Sequence, residues 1–239
     1  MQTERKTDFD IIVASFENET DLQQMYTQYS TLMAYFRCAI MEIQTKFNVL
    51  NEEFSLQHDR NPINSIHSRL KSIESISRKL KNKGIPLTIS NIEENLSDVA
   101  GVRVVCSFTS DVYLLAKALL AQDDIKLVSI KDYIKNPKPN GYRSLHLIVT
   151  VPIFLVHEKR IMTVEIQLRT IAMDSWAALE HQLKYKKDNE FTEDMTKELY
   201  HCAVISADLD EKMDRLKGSV YDEEPDYNLD EFEEKMIVV

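Results

Sequence analysis

With 239 residues, 44% of them apolar and 28% charged, the chain has the composition of a soluble globular protein with one substantial core and room for helical attachments. Four glycines in the whole chain argue against a Gly/Ser linker, an all-β fold full of tight turns, or a Gly-rich phosphate loop. A net charge of −10 speaks against indiscriminate nucleic-acid binding, and no apolar run approaches the ~20 residues that cross a bilayer.

The first ten residues are polar and mixed in charge, without the apolar core of a signal peptide. From Leu22 through Tyr26, Tyr29, Met33, Phe36, Ile40, Ile43, Phe47, Leu50 to Phe54, apolar side chains alternate spacings of four and three. That pattern predicts one long helix with an a/d seam, started by a capping box at Thr20 and Gln23. Packing of the seam within its own domain is the favoured expectation, with pairing of half of it to another subunit as the alternative. A second helix is expected after Pro62, burying Ile63, Ile66, Leu70, Ile73 and Leu80 and ended by Gly84. Lys71, Ser75, Arg78, Lys79 and Asn82 fall on its opposite side. Between Arg69 and Lys83 six basic residues face one acidic residue, Glu74. Either this is a solvated helix face or it is a seat for a polyphosphate.

Strands are expected at 99–108, 125–134, 142–151 and 162–168, with a helix at 111–121 between the first two. Helices follow at 170–187 and 192–217, the second stopped by Gly218 and striped by Met195, Leu199, Cys202, Leu209, Met213 and Leu216. The acidic segment beyond Gly218 is expected to be mobile. The order implies an α+β fold, a small mixed sheet flanked by helices with long helices at both ends. The expected divisions are a helical segment at 1–60, a central domain at 61–187, a helix at 188–218 and an acidic tail at 219–239. Cys38, Cys106 and Cys202 lie far apart, Cys106 in an apolar run that suits a buried thiol, so a reducing, cytoplasmic location is expected.

Strand periodicity points to a site. On the last strand Glu165, Gln167 and Arg169 share the face opposite Val164, Ile166 and Leu168, which suits either a site floor or a wet edge strand. On the strand before it Tyr142, Ser144 and His146 share a face, and Lys135, Lys138 and Arg143 surround the turn Pro139-Asn140-Gly141. A ring beside cations is suited to stacking a purine and holding its phosphates, although a lone Tyr or His on a strand more often serves packing. Asp98 stands just before an apolar strand, where it could bind Mg²⁺ or cap a turn.

Four stretches, HSRLKSIESISRKL from His67, SDVAGVRVVC from Ser97, NGYRSLHLIV from Asn140 and VEIQLRTIAMDSWAALEHQLKYK from Val164, together resemble the synthetase domain of the RelA/SpoT alarmone family in its small, stand-alone form. The resemblance spans 61–187. It implies a nucleotidyltransferase-like sheet of about five strands and transfer of pyrophosphate from ATP to the 3′-hydroxyl of GDP or GTP, with Mg²⁺ and release of AMP. Carried over by position, Arg69 and Arg103 would sandwich adenine, and Lys71, Ser75 and Lys79 would hold the ATP phosphates. Asp98 would bind the metal, and Glu165 would activate the acceptor hydroxyl and help hold the metal. Tyr142 would stack on guanine, with Lys138, Arg143, His146 and Gln167 completing the acceptor site and Arg169 supporting that face.

Two positions depart from relatives: Asn82 replaces a base found in some, and Asp174 an Asn found in others. His58-Asp59 echoes the hydrolase dipeptide of the long members but has no ligand cluster before it, so alarmone degradation is not expected. The resemblance also implies a homo-oligomer through the terminal helices, a tetramer favoured, with no membrane partner and no stable nucleic-acid partner. Two alternatives stand beside it. A toxin-like relative would act on the 3′-end of tRNA and need a basic surface. A non-catalytic nucleotide-binding regulator would have no use for Asp98, Tyr142 and Glu165 together.

Overall fold

The computed structural model describes residues 19–58, 60–185, 192–221 and 228–233; the first ten residues, Asp59 and parts of the acidic tail lie outside them. In chain order the elements are α1 (Glu19–His58), β1 (Ile63–Leu70), α2 (Ile73–Asn82), α3 (Ile89–Asn95), β2 (Ala100–Cys106), α4 (Thr109–Leu120), β3 (Lys126–Asp132), β4 (Leu145–Phe154), β5 (Lys159–Thr170), α5 (Ile171–Tyr185), α6 (Glu193–Tyr221) and α7 (Asp230–Glu233). The five strands form one mixed sheet in the order β1-β2-β5-β4-β3. Only β2 and β5 run parallel; the other neighbours are antiparallel. The expected α+β architecture is the one observed.

The core lies between one face of the sheet and the helices α1 and α4. Val102, Val104, Leu145, Leu147, Val149, Val164, Ile166 and Leu168 point into it, every second residue of their strands. Phe36, Ile40, Ile43 and Phe47 of α1 meet them, packing across β1, β2, β4 and β5. Burial of each such side chain contributes about 1.5–3 kcal/mol. The seam packs on its own domain from Tyr29 to Phe54, as favoured, with Tyr26 exposed. Thr20 lies inside α1, so it is not the cap. Cys106 is buried, and that burial pushes its thiol well above the ordinary range.

Four further expectations are corrected. Ile63–Leu70 is strand β1, not the first half of a helix. It is an edge strand, paired only with β2 and irregular between Ile63 and Ser65, so its apolar spacing does not alternate cleanly. The helix α2 starts at Ile73, where Ser72 accepts a hydrogen bond from the Ser75 amide. It ends as expected, at Gly84 with φ of 69°, where the Ile85 amide closes back on the Leu80 carbonyl.

Gly218 does not stop α6, which continues to Tyr221, as a single helix-interior glycine costs only about 1 kcal/mol. The helix is also turned over. Met195, Leu209, Met213 and Leu216 are exposed, and Leu199 is the member of the predicted stripe that is buried. The inward face carries Ala203, Asp210, Asp214 and Lys217 instead. Lys217 donates to Asp111 (3.2 Å) and Ser110 (2.9 Å), Arg60 donates to the same Asp111 oxygen (2.9 Å), and Ser110 donates to Asp214 (2.6 Å). Finally, the acidic tail is not wholly detached: Leu229 and Phe232 are buried in the main core, with α7 against β3.

Candidate active site

The sheet face turned away from the core carries the polar residues, and the strand register fixes their neighbours. Arg69 lies opposite Gly101, Gly101 beside Glu165, and Glu165 opposite Ile148. One step along, His67 lies opposite Arg103, Arg103 beside Gln167, and Gln167 opposite His146. Cross-strand partners share a face, so four strands bring these side chains onto one floor. His67, Arg69, Asp98, Arg103, Glu165 and Gln167 line a cleft of about 320 Å³. Arg69 also borders a second cleft of about 560 Å³, walled by Lys71, Ser75, Arg78, Lys79 and Asn82.

In the second cleft the cations come from the β1–α2 junction and one face of α2. Arg78 lines the cleft together with Asn82 and supplies a further basic group there. Lys71 and Lys79 both bond Asp98 Oδ2, Lys79 at 2.8 Å. Burial pushes the Asp98 carboxyl up, but the hydrogen bonds from Lys71 and Lys79 prevail and hold it below the ordinary range. Asp98 is thus ionised and salt-bridged rather than a turn cap. Its other oxygen, Oδ1, is buried without a hydrogen-bond partner. Glu165 lines the same cleft, close enough for the Asp98 charge to act on its carboxyl. Two carboxylates beside a cation-walled cleft, one with an orphaned oxygen, fit Mg²⁺, which is held by one or two carboxylates plus phosphate oxygens.

The other half of the site is a closed ring of hydrogen bonds. Arg169 Nη2 donates to Tyr142 Oη (2.6 Å) and to Gln167 Oε1 (2.9 Å). Gln167 Nε2 donates to Glu165 Oε2 at 3.2 Å. Glu165 Oε1 lies 3.5 Å from His146 Nδ1, and His146 Nε2 lies 2.8 Å from Tyr142 Oη. An ionised carboxylate only accepts, so the imidazole nitrogen that faces Glu165, Nδ1, is the one that carries a proton toward it. Burial pushes the Glu165 carboxyl up, but the hydrogen bond and charge of His146, aided by Gln167, hold it below the ordinary range.

Lys138 lies 4.8 Å from the centre of the Tyr142 ring and 4.7 Å from that of Tyr133. Tyr133 also meets Tyr142 and His146 edge-on. Tyr133 was not singled out from the sequence; its only signal was a tyrosine close to Lys135 at a strand end. Asp174, noted only as a departure from relatives, bridges the two halves. Its Oδ1 lies 3.1 Å from Arg169 Nη1 and 3.3 Å from Arg103 Nη1. Its place in the first turn of α5, five residues after Arg169, was the available clue.

Two expected members of the site point elsewhere. Ser144 is buried and donates to the Leu168 carbonyl at 3.1 Å, a structural bond. Arg143 turns to α6, where its Nη1 donates to Asp210 Oδ2 at 2.9 Å. The remaining residues named from the sequence, Arg69, Lys71, Ser75, Lys79, Asp98, Arg103, Lys138, Tyr142, His146, Glu165, Gln167 and Arg169, line the two clefts or the ring beside them.

Comparison with known proteins agrees with this geometry. The profile described as "Region found in RelA / SpoT proteins" matches residues 68–190. GTP pyrophosphokinase YwaC of Bacillus subtilis (strain 168) is 43% identical over 200 residues, covering 84% of this chain and 95% of that protein. GTP pyrophosphokinase YjbM of the same strain is 34% identical over 193 residues, covering 81% and 90%. A crystal structure of small alarmone synthetase 1 from Bacillus subtilis, bound to its product pppGpp, superposes with a TM-score of 0.73 at 34% identity, covering 81% of this chain and 98% of that one. On the matched domain, the near-full-length similarity and the shared sheet, this chain belongs to the RelA/SpoT family.

Proposed function

We propose that this protein is a GTP pyrophosphokinase that synthesises (p)ppGpp, moving pyrophosphate from ATP to the 3′-hydroxyl of GDP or GTP. The observation that carries the proposal is the single floor on which Glu165 lines a polar cleft adjoining the cation-walled one and, on its other side, meets His146 of the Tyr133–Tyr142–His146 aromatic cluster. Relatives named GTP pyrophosphokinase cover most of the chain.

Arg69 and Arg103, two positions apart on one face of paired strands, suit the two sides of adenine. Lys71, Ser75 and Lys79 hold the donor phosphates. Tyr142 stacks on the acceptor base, Lys138 and His146 meet its phosphates, and Gln167 orients Glu165. The acceptor 3′-oxygen forms a bond to the β-phosphorus of ATP, the bond between that phosphorus and the α,β-bridging oxygen breaks, and AMP departs with that oxygen. Glu165, ionised at neutral pH, takes the proton of the hydroxyl. Asp98 and Glu165 are the residues that would hold Mg²⁺, which would neutralise charge on the transferring group. Nothing in this scheme needs a covalent enzyme intermediate.

The protein acts as a homo-oligomer, a tetramer favoured, supported by apolar side chains on the outer face of α6: Ile205, Leu209, Met213, Leu216 and Val220. Its synthetase unit is 61–187, with α1 and α6 as supports. Three free cysteines suit a reducing, cytoplasmic setting, and the charge of −10 disfavours a stable nucleic-acid partner.

The test is a product assay with ATP, Mg²⁺ and either GDP or GTP, resolved by anion exchange. AMP and ppGpp or pppGpp should appear in equal amounts and vanish in Glu165→Gln. Absence of product with both acceptors, despite ATP binding, would falsify the proposal.

A further inference from the structure

The turn that presents Tyr142 is built onto α5 and α6 rather than onto the sheet alone. Within the turn, the Gly141 amide donates to the Lys138 carbonyl (2.8 Å) and the Lys138 amide to the Tyr142 carbonyl (3.1 Å). Gly141 has φ of +88°, and a Cβ there would sit 2.5 Å from Ala203 Cβ on α6. The backbone of the turn thus lies directly on that helix, and any side chain would push the two apart. Asn140 Nδ2 donates to Glu180 Oε1 of α5 at 3.2 Å. Trp176 of α5 donates to the Leu199 carbonyl of α6 at 3.0 Å, and with Leu199 and Ala203 it forms a small cluster against which Tyr142 packs.

Arg143 closes this arrangement. Its pair with Asp210 is nearly dry, the side chains being 13% and 6% exposed. Burial pushes the Asp210 carboxyl up, opposed by a hydrogen bond from Thr170 and by Arg143. The guanidinium borders a separate cleft of about 710 Å³, shared with Lys135, Pro137 and the outer half of α6, and it lines neither cleft of the active site.

We infer that Arg143 is a positioning residue and not a ligand of the acceptor: through Asp210 it clamps the Tyr142 turn onto α6, so the seat of α6 sets acceptor affinity. This rests on the reading of Tyr142 as the base-stacking ring. Misplacement of that ring weakens acceptor use and leaves the donor cleft, built on β1 and α2, untouched.

The experiment is steady-state kinetics on Arg143→Met, Asp210→Asn and the double variant, with Tyr142→Ala alongside and thermal melts of each. Clamping predicts that both single variants raise the KM for GDP by about tenfold with the KM for ATP unchanged. The double variant should be no worse than either single, since each removes the same link. If Asp210→Asn leaves or lowers the KM for GDP while Arg143→Met raises it, Arg143 is a ligand released by the loss of its partner, and the inference is wrong. If Tyr142→Ala leaves the KM for GDP unchanged, the stacking reading has failed, whatever the pair does. Should the variants melt below the assay temperature, the wild-type protein decides. Trp176 is the sole tryptophan and lies at this junction, so saturating GDP must change its emission; a silent titration overturns the clamp.

Discussion

The two halves of the site, proposed for donor and acceptor, are built on opposite plans. In the donor half, cations stand apart on β1 and α2: Arg69 is exposed, and Lys71 and Lys79 rest on Asp98 alone. In the other half, Arg169, Tyr142, His146, Glu165 and Gln167 meet one another around a ring, and Arg169 is only 6% exposed. Separate charges suit a flexible triphosphate, which any of several cations can grip. A ring suits a base and one hydroxyl, whose placement decides whether the reaction occurs. The lesson is that charge is supplied where binding is needed and connectivity where geometry is needed.

Substitutions sharpen that contrast, beginning with the largest effect. Glu165→Gln should lower kcat by about 10²- to 10⁴-fold with both KM values little changed, measured as AMP release, because the proton acceptor is lost. Tyr142→Ala should raise the acceptor KM by roughly 5- to 150-fold, the worth of one base stack, and spare the KM for ATP. Lys71→Met or Lys79→Met should raise the KM for ATP by about tenfold and spare the acceptor, as one charged hydrogen bond is removed. Equal effects of Lys79→Met on both substrates would erase the distinction between the halves.

The smallest effect concerns pH. The proposed base role needs Glu165 ionised, and its carboxyl is held below the ordinary range in the folded protein. Activity should therefore stay flat as pH falls through the ordinary carboxylate range and fail only below it. The same shift means that its contribution to stability is present above the unfolded-state pKa and is lost as pH falls through the depressed value. In His146→Ala the main lowering influence is gone while burial remains. The acid limb of kcat/KM should then move to higher pH; an unmoved limb would show that His146 does not tune the base.

Much of this was legible in the chain. The spacing of Phe36, Ile40, Ile43 and Phe47 gave α1 because a helix that packs on a broad apolar sheet must repeat every three to four residues. Glu165, Gln167 and Arg169 declared one face of β5 by simple alternation. What failed were features set by distant partners. β1 looked helical because an irregular edge strand does not alternate its burial strictly. The stripe of α6 revealed that an apolar face exists but not which way it points. That direction depends on Arg143 meeting Asp210 across 67 residues. Tyr133 was overlooked, and the bridging role of Asp174 was not foreseen, for the same reason, since their partners lie on other elements.

The polar inner face of α6 has a consequence for how the chain can change over time. Asp210, Asp214 and Lys217 each meet a fixed partner, one helical turn apart. A slide by one residue would rotate the helix by about 100° and advance it about 1.5 Å, stranding every one of these groups. An oily face would tolerate such a slip by repacking, but a toothed one does not. The outer surface carries none of these teeth. Residues there can change without disturbing the register that seats the Tyr142 turn.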